Sequence, residues 1–262
     1  MRSEGGGIWD VAAYEHFSDH RLRPALDLIG RIPKIPDGDI IDLGCGSGAV
    51  AEALRSRFPQ HRLIGVDAAP AMLEKAAVSG LYADLVEADI NDWQPATPPA
   101  LIFSNAAIHW LPGHEVLLPC LAGLLVPGGV LAVQAPNQLG EPSHQTLIQA
   151  AQAIRADLFG DWQPFPGVSE LGDYADWLSG YGLDLWETTY HQRLAAQYDG
   201  AHPVRAFSVS TAGRPVMARL DSAEQAEFLA EWDRLLTVAY PLRPDGAVDF
   251  PFRRIFIVAK HI

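Results

Sequence analysis

The segment IIDLGCGSG, residues 40–48, decides the fold of this chain. A short apolar run enters a cluster of glycines, and apolar residues then recur at helical spacing from Val50 to Phe58. Glycines between a strand and a helix allow a tight turn, and they let a ligand approach the backbone N–H groups at the start of the helix. The segment therefore predicts a strand, a ligand-binding loop and a helix.

Strand-like and helix-like segments alternate along the chain around this loop. Pro70 stands where the first turn of a helix favours proline, and the Pro-Gly-Gly stretch at residues 127–129 ends another helical pattern. Further strands are predicted at residues 63–66, 81–86, 100–104, 130–133, 183–190 and 255–259. Apolar strands that alternate with helices favour parallel pairing and burial on both faces. We therefore predict an α/β fold: a doubly wound, mostly parallel seven-stranded sheet with an inserted helical cap.

The length of the chain favours one integrated domain. Its 262 residues are too many for a minimal domain and too few for two full-sized ones. Residues 1–35 are predicted to form an N-terminal covering segment, and residues 36–135 the ligand-binding α/β core. Residues 136–262 are predicted to supply the helical cap insertions and the last strands of the sheet.

Composition excludes several classes of function. Lys and Arg total 19 while Asp and Glu total 32, so the net charge is −13 and the surface repels nucleic acid and anionic lipid. Two cysteines, Cys45 and Cys120, cannot build a disulfide scaffold or a cysteine-rich metal site. No apolar run reaches the roughly 18 residues of a membrane span, and the first residues lack the apolar core of a signal peptide. We expect a cytoplasmic protein without a metal, as a monomer or small homo-oligomer that binds a small molecule.

Two classes of ligand use such a glycine loop. Dinucleotides use G-x-G-x-x-G/A, which Gly44, Gly46 and Ala49 satisfy. The other class has a positively charged amino-acid tail and no phosphate at this point. Two features favour the second class: the third glycine is Gly48, and Asp42 precedes the loop. A carboxylate repels pyrophosphate, but it attracts an ammonium by roughly 4 kcal/mol at 4 Å.

Two more acids follow the next predicted strands. Asp67 ends the second strand, where a carboxylate can accept both hydroxyls of a ribose. Asp89 follows the third strand, between Ala88 and Ile90, where it can reach an adenine amino group. Because ligands of open α/β sheets bind along the carboxyl edge of the strands, the three acids together predict a nucleoside site there.

These residues resemble class I S-adenosylmethionine-dependent methyltransferases, which have a Rossmann-like fold. Residues 41–48 and 65–67 are similar to the first two motifs of that class. Longer stretches are similar to the trans-aconitate methyltransferase family, and the similarity covers nearly the whole chain. Those stretches are residues 21–28, 104–112, 129–134, 141–144, 186–190 and 255–259, with Trp9, Tyr14 and Phe17 before them.

The resemblance implies that the cofactor is S-adenosylmethionine, released as S-adenosylhomocysteine. The glycine loop would line the methionine end, Asp67 would hold the ribose, and Met72 would pack on the adenine. Asn105 would lie beside the sulfonium, and the N-terminal segment would close over the cofactor. Taken with the residue pattern, it gives these expected cofactor contacts: Tyr14, Phe17, Arg23, Asp42, Gly44, Cys45, Gly46, Gly48, Asp67, Ala68, Met72, Ala88, Asp89, Ile90, Asn105 and Ala106.

The predicted reaction is methylation of a carboxylate on a small organic acid such as trans-aconitate. A carboxylate with a pKa of roughly 4 is ionised at neutral pH, so no general base is needed and no catalytic acid or base is predicted. Alignment and desolvation would provide the catalysis. Arginine suits a polycarboxylate because its planar fork donates two parallel hydrogen bonds. The expected substrate contacts are His109, as a wall residue, and Tyr190, His191, Arg214 and Arg254, with Arg193 as a further possibility.

Three alternatives stay open at the sequence level. The sequence departs from the family pattern at Ala100 and His109, so the acceptor can instead be a hydroxyl or amine of another metabolite. An NAD(P)-binding oxidoreductase is the second alternative: Ala49 favours it, whereas Asp42 and the lack of a Tyr-x-x-x-Lys pair oppose it. The third alternative is a non-catalytic sensor of the cofactor.

Overall fold

The computed structural model describes residues 18–262. Its helices and strands alternate through the first half of the chain. The strands are β1 (Ile40–Leu43), β2 (Leu63–Asp67), β3 (Asp84–Glu87), β4 (Leu101–Asn105), β5 (Val130–Pro136), β6 (Gly182–Leu194) and β7 (Val248–Lys260). The helices are α1 (Ser18–Arg31), α2 (Ala51–Arg57), α3 (Pro70–Val78), α4 (His114–Gly123), α5 (Pro142–Ile154), α6 (Ala156–Phe159), α7 (Leu171–Trp177), α8 (Pro203–Ser208), α9 (Arg214–Met217) and α10 (Ser222–Ala239).

Within residues 18–262, seven strands form one sheet in the order β3-β2-β1-β4-β5-β7-β6. The pairs β1–β2, β1–β4, β2–β3 and β4–β5 are parallel, and β7 runs antiparallel to β5. Because β1 lies inside the sheet and the chain winds outward from it in both directions, the sheet is doubly wound. The predicted fold class is confirmed.

The central strands are buried because helices cover them. All four residues of β1 are buried, and so are the first four of β4 and the first six of β5. This burial explains why these strands are apolar throughout rather than alternating. The β2 strand begins and ends beside β1, so that Asp42 pairs in register with Gly65. The carboxyl ends of β1, β2 and β4 consequently meet at one edge of the sheet.

The chain divides into two compact units. The sheet unit comprises Arg21–Pro136, Gly167–Thr188 and Arg254–Ile262. The helical unit contains, among the described residues, Asn137–Pro166, Thr189–Arg253 and the start of α1 up to His20. Its core includes Leu147, Phe228, Trp232 and Phe250, which are almost fully buried. The predicted division of the chain near residues 35 and 135 stays a prediction.

The strand boundaries show where the sequence pattern was incomplete. The strand predicted at residues 255–259 is the end of the longer β7, and the strand predicted at 81–86 begins only at Asp84. In β7, the first residues alternate between buried and exposed, with Asp249 and Arg253 among the polar positions, so an apolar run does not reveal them. No helix in the described part of the chain is long and apolar enough to cross a membrane.

Candidate functional site

The glycine loop lies between β1 and α2, at the carboxyl edge of the sheet. Gly44, Gly46 and Gly48 have φ angles of +77°, +54° and +83°, a left-handed conformation that glycine adopts without strain. The N–H groups of Gly44 and Cys45 both donate to the carbonyl oxygen of Val66, at 2.8 and 3.0 Å. These bonds fix the loop against the end of β2, so its shape is set before any ligand binds.

The three glycines differ in what surrounds them. A Cβ atom on Gly44 would lie 2.5 Å from the Cβ of Ala107, and one on Gly48 would lie 3.1 Å from the ring of Tyr82. No atom would lie within 4 Å of a Cβ on Gly46. Gly44 and Gly48 are therefore required for packing, whereas Gly46 borders open space that a ligand can fill.

Asp67 supports the loop from the end of β2. Its Oδ2 atom accepts a hydrogen bond from the N–H of Gly46 at 2.8 Å, and its Oδ1 atom accepts one from the N–H of Ala69 at 2.9 Å. Ala69 is the N-cap residue of α3 and has no side-chain cap, so Asp67 does not cap the helix itself. Each carboxylate oxygen can accept a second hydrogen bond, which leaves capacity for ribose hydroxyls.

Asp42 is buried beneath the loop, with 1% of its surface exposed. The hydroxyl of Tyr82 donates a hydrogen bond to its Oδ2 atom at 2.7 Å. Burial raises the pKa of the Asp42 carboxyl to about 7; the Tyr82 hydrogen bond lowers this pKa and the charge of Asp67 raises it further. Burial also raises the pKa of the neighbouring Cys45 thiol, so Cys45 lies here as a neutral group.

The residues predicted around the adenine follow β3. Asp89 is exposed and its Oδ1 atom accepts hydrogen bonds from both the backbone and the side-chain nitrogen of Asn91, each at 2.9 Å. The N–H of Ala88 donates to the carbonyl of Asp67 at 3.1 Å, which joins the ends of β3 and β2. The side chain of Ile90 would lie 3.4 Å from a Cβ on Gly44, so it borders the glycine loop.

Other cofactor predictions fall in three places. Met72 is buried in α3, with 8% of its surface exposed, and Ala68 lies between Asp67 and Ala69. Arg23 is exposed on α1. Tyr14 and Phe17 lie outside the described residues.

The end of β4 brings a second polar group to the same edge of the sheet. The Oδ1 atom of Asn105 is buried and has no hydrogen-bond partner. The next residue, Ala106, has a φ of +55°, which is unusual for a residue with a side chain, and its N–H donates to the carbonyl of Gln134 at 2.8 Å. Such strain and an unpaired buried oxygen are typical of functional sites rather than of folding requirements.

His109 lies just beyond, in a 3₁₀ helix at Ile108–Trp110. Only 5% of its surface is exposed, and its ring packs on that of Trp110 with a centroid distance of 4.9 Å. Its backbone carbonyl accepts a hydrogen bond from the N–H of Gly167 at 3.2 Å. This packing suits the predicted wall residue, since both the ring and the backbone are held in place.

Arg254 and Gln134 form a buried polar pair on neighbouring strands. Arg254 is 4% exposed, and its Nη1 atom donates to Oε1 of Gln134 at 3.3 Å. The Nε2 atom of Gln134 is buried without a hydrogen-bond partner. Gln134 pairs in register with Asn105, and Arg254 pairs with Pro136. The pair thus lies next to the end of β4, and sequence reasoning found Arg254 but missed Gln134.

The remaining substrate predictions belong to the helical unit. Tyr190 is buried and His191 is exposed on β6. Because successive side chains of a strand point to opposite faces, the structure separates these two residues. Arg193 forms an ion pair with Asp245 at 2.6 Å, and Arg214 is part-buried at the start of α9.

Tyr82 is the other residue that sequence reasoning missed. It precedes β3, belongs to no glycine or acidic motif, and reaches Asp42 across 40 positions of sequence. Only the pairing of β1, β2 and β3 reveals this contact. Nowhere in residues 18–262 do three or more His, Cys, Asp or Glu side chains gather as a metal site.

The donor set fits S-adenosylmethionine. Open space above Gly46, backbone N–H groups at a helix start and a nearby acid suit a compact amino-acid tail. The Asp67 carboxylate has capacity for ribose hydroxyls, and the buried Asn105 oxygen lacks a partner that a polar ligand can supply.

Comparisons with known proteins identify the family of the chain. Residues 40–129 match a family model described as a methyltransferase domain. The trans-aconitate 2-methyltransferase of Methylobacterium nodulans is 40% identical over 96% of this chain and 98% of its own length. That of Escherichia coli is 37% identical over 97% of this chain and 98% of its own length.

Solved structures support the fold alone. The YcgJ protein of Bacillus subtilis superposes with a TM-score of 0.57 at 16% identity, over 90% of this chain and 97% of its own. A Bacillus halodurans protein gives a TM-score of 0.55 at 14% identity, over 90% and 98%. Two relatives match this chain over nearly their full length, at 40% and 37% identity. The chain therefore belongs to the trans-aconitate 2-methyltransferase family, whose enzymes take the methyl group from S-adenosylmethionine.

Proposed function

We propose that this enzyme methylates a carboxylate oxygen of trans-aconitate or of a similar small polycarboxylic acid. The names of the relatives support this acceptor, and one observation in the chain carries it. Arg254, a guanidinium with only 4% of its surface exposed, lies beside Gln134 and next to the end of β4. The planar fork of an arginine can donate two parallel hydrogen bonds to a carboxylate, which suits this type of acceptor.

The reaction needs little from acid or base groups. S-adenosylmethionine supplies a methyl group on a sulfonium, which leaves as the neutral thioether S-adenosylhomocysteine. The acceptor oxygen forms the new bond to the methyl carbon while the bond between carbon and sulfur breaks. The carboxylate is already ionised at neutral pH, so the chain takes up no proton and the product is a methyl ester. The protein contributes by aligning the acceptor and by excluding water.

The cofactor assignments follow the edge of the sheet. We propose that the loop from Gly44 to Gly48 receives the methionine end, with open space above Gly46. Asp67 and Ala68 hold the ribose, while Asn105 and Ala106 lie beside the sulfonium. The other proposed contacts, around the adenine or over the cofactor, are Met72, Ala88, Asp89, Ile90, Arg23, Tyr14 and Phe17.

Asp42 and Cys45 complete the methionine end. At 1% exposure, Asp42 acts as a buried charge beneath the loop, where it attracts the ammonium of the tail without an open contact. The side chain of Cys45 is buried within the loop as a small neutral group.

The acceptor assignments centre on the same edge. Arg254 and the Nε2 atom of Gln134 are proposed donors to a carboxylate, and the packed ring of His109 is a proposed wall. Tyr190, His191 and Arg214 stay predicted acceptor contacts, on the ground of the family resemblance.

The partner is proposed to be a small molecule. A net charge of −13 opposes binding to nucleic acid or to anionic lipid, except where a local arginine attracts a small anion. Cys45 and Cys120 are both free thiols, which suits the reducing cytoplasm. A monomer or a small homo-oligomer stays the predicted assembly.

The decisive experiment is a panel of acceptors with cofactor labelled in its methyl group. The panel contains trans-aconitate, its cis isomer, citrate, a dicarboxylate and a monocarboxylate. We expect labelled products from the polycarboxylates that release methanol in mild base, as methyl esters do. Base-stable labelled products would instead indicate a hydroxyl or amine acceptor. Absence of any product while S-adenosylhomocysteine still binds would contradict the proposal.

A further inference from the structure

Tyr82 makes three contacts at the carboxyl edge of the sheet, where the cofactor is proposed to bind. Its hydroxyl donates to Oδ2 of Asp42 at 2.7 Å. Its ring carbons would lie 3.1 Å from a Cβ on Gly48 and 3.0 Å from a Cβ on Gly65. The ring therefore fills the space that two glycines leave free, one in the loop and one in β2. One side chain thus touches the strand that precedes the loop, the loop itself and the neighbouring strand.

Among the groups around Asp42, the Tyr82 hydroxyl is the one that favours the charged form of the carboxyl. The titratable groups that face this carboxyl are Tyr82, Asp67 and Cys45. Asp67 repels a charge on Asp42, and Cys45 is a neutral thiol. Tyr82 is the member of this group that stabilises the ionised carboxylate. Burial and the nearby acid raise the pKa of the Tyr82 hydroxyl, so it keeps its proton and stays a donor.

We propose that Tyr82 is a positioning residue for the methyl-transfer reaction, whose hydroxyl holds the Asp42 carboxylate and whose ring supports the glycine loop in the form that binds S-adenosylmethionine. This inference rests on the assignment of that loop to the methionine end of the cofactor. It is independent of the proposed acceptor.

A dependence on pH follows from this arrangement. Because the pKa of Asp42 is about 7, its negative charge is lost as the pH falls through neutrality. Affinity for a ligand with an ammonium tail therefore decreases below pH 7. Removal of the Tyr82 hydroxyl takes away the contact that lowers this pKa, so the midpoint moves to higher pH.

The test is binding of S-adenosylhomocysteine by calorimetry from pH 6 to pH 9. The ligand carries the same amino-acid tail as the cofactor. For Tyr82→Phe we expect affinity about tenfold lower at pH 7, the scale of one lost hydrogen bond to a charged group. We also expect the midpoint of the pH profile to move upward. Tyr82→Leu, which also removes the ring, loses more affinity. Tyr198→Phe, at a fully exposed tyrosine of the helical unit, is the matched control and changes neither quantity.

A double-mutant cycle separates positioning from simple stability. In the Asp42→Asn background, Tyr82→Phe is expected to leave the pH profile unchanged because no charge remains to hold. If Tyr82→Phe alone fails to fold, the substitution can still be studied in the Asp42→Asn background, because that background lacks the buried carboxylate that Tyr82→Phe would leave unpaired. Wild-type affinity of Tyr82→Phe at every pH overturns the proposal. The proposal is also overturned if Tyr82→Phe lowers the thermal stability but leaves the midpoint of the pH profile unshifted. It is overturned as well if Tyr82→Phe shifts this midpoint equally in the Asp42→Asn background.

Failure of this proposal differs from failure of the proposed acceptor. If acids are not methylated but Tyr82→Phe still weakens ligand binding, the acceptor is wrong and the role of Tyr82 stands. If acids are methylated and Tyr82→Phe binds as the wild type does, the role of Tyr82 is wrong.

Discussion

Asp42 combines a carboxylate with almost complete burial. Its pKa is raised from an ordinary 3.8 to about 7, chiefly by burial, so the folded chain binds a proton there more tightly than the unfolded chain does. The sign follows from linkage: between pH 4 and pH 7 the folded state holds more protons, and this group therefore makes the free energy of unfolding fall as the pH rises. A buried carboxylate that lowers the free energy of unfolding of the unliganded protein is typical of a residue kept for function.

Asp42→Asn tests whether the charge of Asp42 destabilises the unliganded protein and also strengthens ligand binding. We expect the unliganded variant to unfold at higher denaturant concentration than the wild type at pH 8, with a smaller difference at pH 5, where wild-type Asp42 is protonated. Its affinity for S-adenosylhomocysteine at pH 8 is expected to fall, because the attracting charge is gone. Denaturant unfolding and calorimetry measure the two quantities. Asp37→Asn, at an exposed acid before β1, is the control, and equal stability changes at the two pH values would contradict the pKa argument.

Arg254 gives a prediction about the acceptor. Arg254→Lys keeps the charge but loses the planar fork, so we expect the KM for trans-aconitate to rise about 10-fold to 100-fold. The Kd for S-adenosylhomocysteine is expected to change little. Steady-state kinetics and calorimetry provide the measurements. Arg234→Lys, in an exposed ion pair with Glu231 on α10, is the control. A variant with a normal KM would remove Arg254 from the acceptor site.

At the scale of elements, the loop between β1 and α2 depends on its backbone. Gly46 and Gly80 both have left-handed φ angles, +54° and +62°, and a Cβ on either would meet no atom within 4 Å. Gly80 is exposed beyond the end of α3, away from the loop in sequence. An alanine would therefore meet the same backbone strain at either position, and the two positions differ in whether a ligand is expected nearby.

Gly46→Ala and Gly80→Ala form a matched pair. Each is expected to lower the free energy of unfolding by about 1–2 kcal/mol, the cost of a left-handed alanine. Only Gly46→Ala is expected to weaken binding of S-adenosylhomocysteine, because its methyl group occupies the space proposed for the amino-acid tail. Denaturant unfolding and calorimetry on both variants check this. Equal affinities would show that no ligand approaches Gly46.

For the whole molecule, acid sensitivity is expected to come partly from a histidine outside the site. His144 is buried in α5 of the helical unit, packed edge-on against Phe165, and burial lowers its pKa from 6.5 to about 4. The unfolded chain therefore takes up this proton first, so stability decreases as the pH falls from 6.5 towards 4.

His144→Gln tests this source of acid sensitivity. We expect the free energy of unfolding of the variant to fall less steeply over this interval, by up to about 1.4 kcal/mol for each pH unit. Denaturant unfolding at several pH values measures the slope. His191→Gln, at an exposed histidine, is the control, and identical slopes for His144→Gln and the wild type would rule out this contribution.

The sequence predicted the doubly wound sheet and most of its strands, because periodicity and glycine placement are local properties. It also predicted that three acids lie along the carboxyl edge, since parallel strands end together. It missed the first half of β7, where polar and apolar residues alternate, and it placed the start of the third strand at residue 81, whereas β3 begins at Asp84, after Tyr82. It predicted both Tyr190 and His191 as acceptor contacts, and only the structure shows that the pleat of β6 turns them to opposite faces.

The sequence by itself determined the loop: Gly44, Gly46 and Gly48 accept left-handed angles, and such backbone preferences are encoded in the residues themselves. Only the tertiary structure decided which polar groups are buried together. Tyr82 reaches Asp42 across 40 positions and Arg254 reaches Gln134 across 120. Contacts over such distances depend on the order of strands in the sheet, and so do burial and the raised pKa of Asp42, which no local pattern contains.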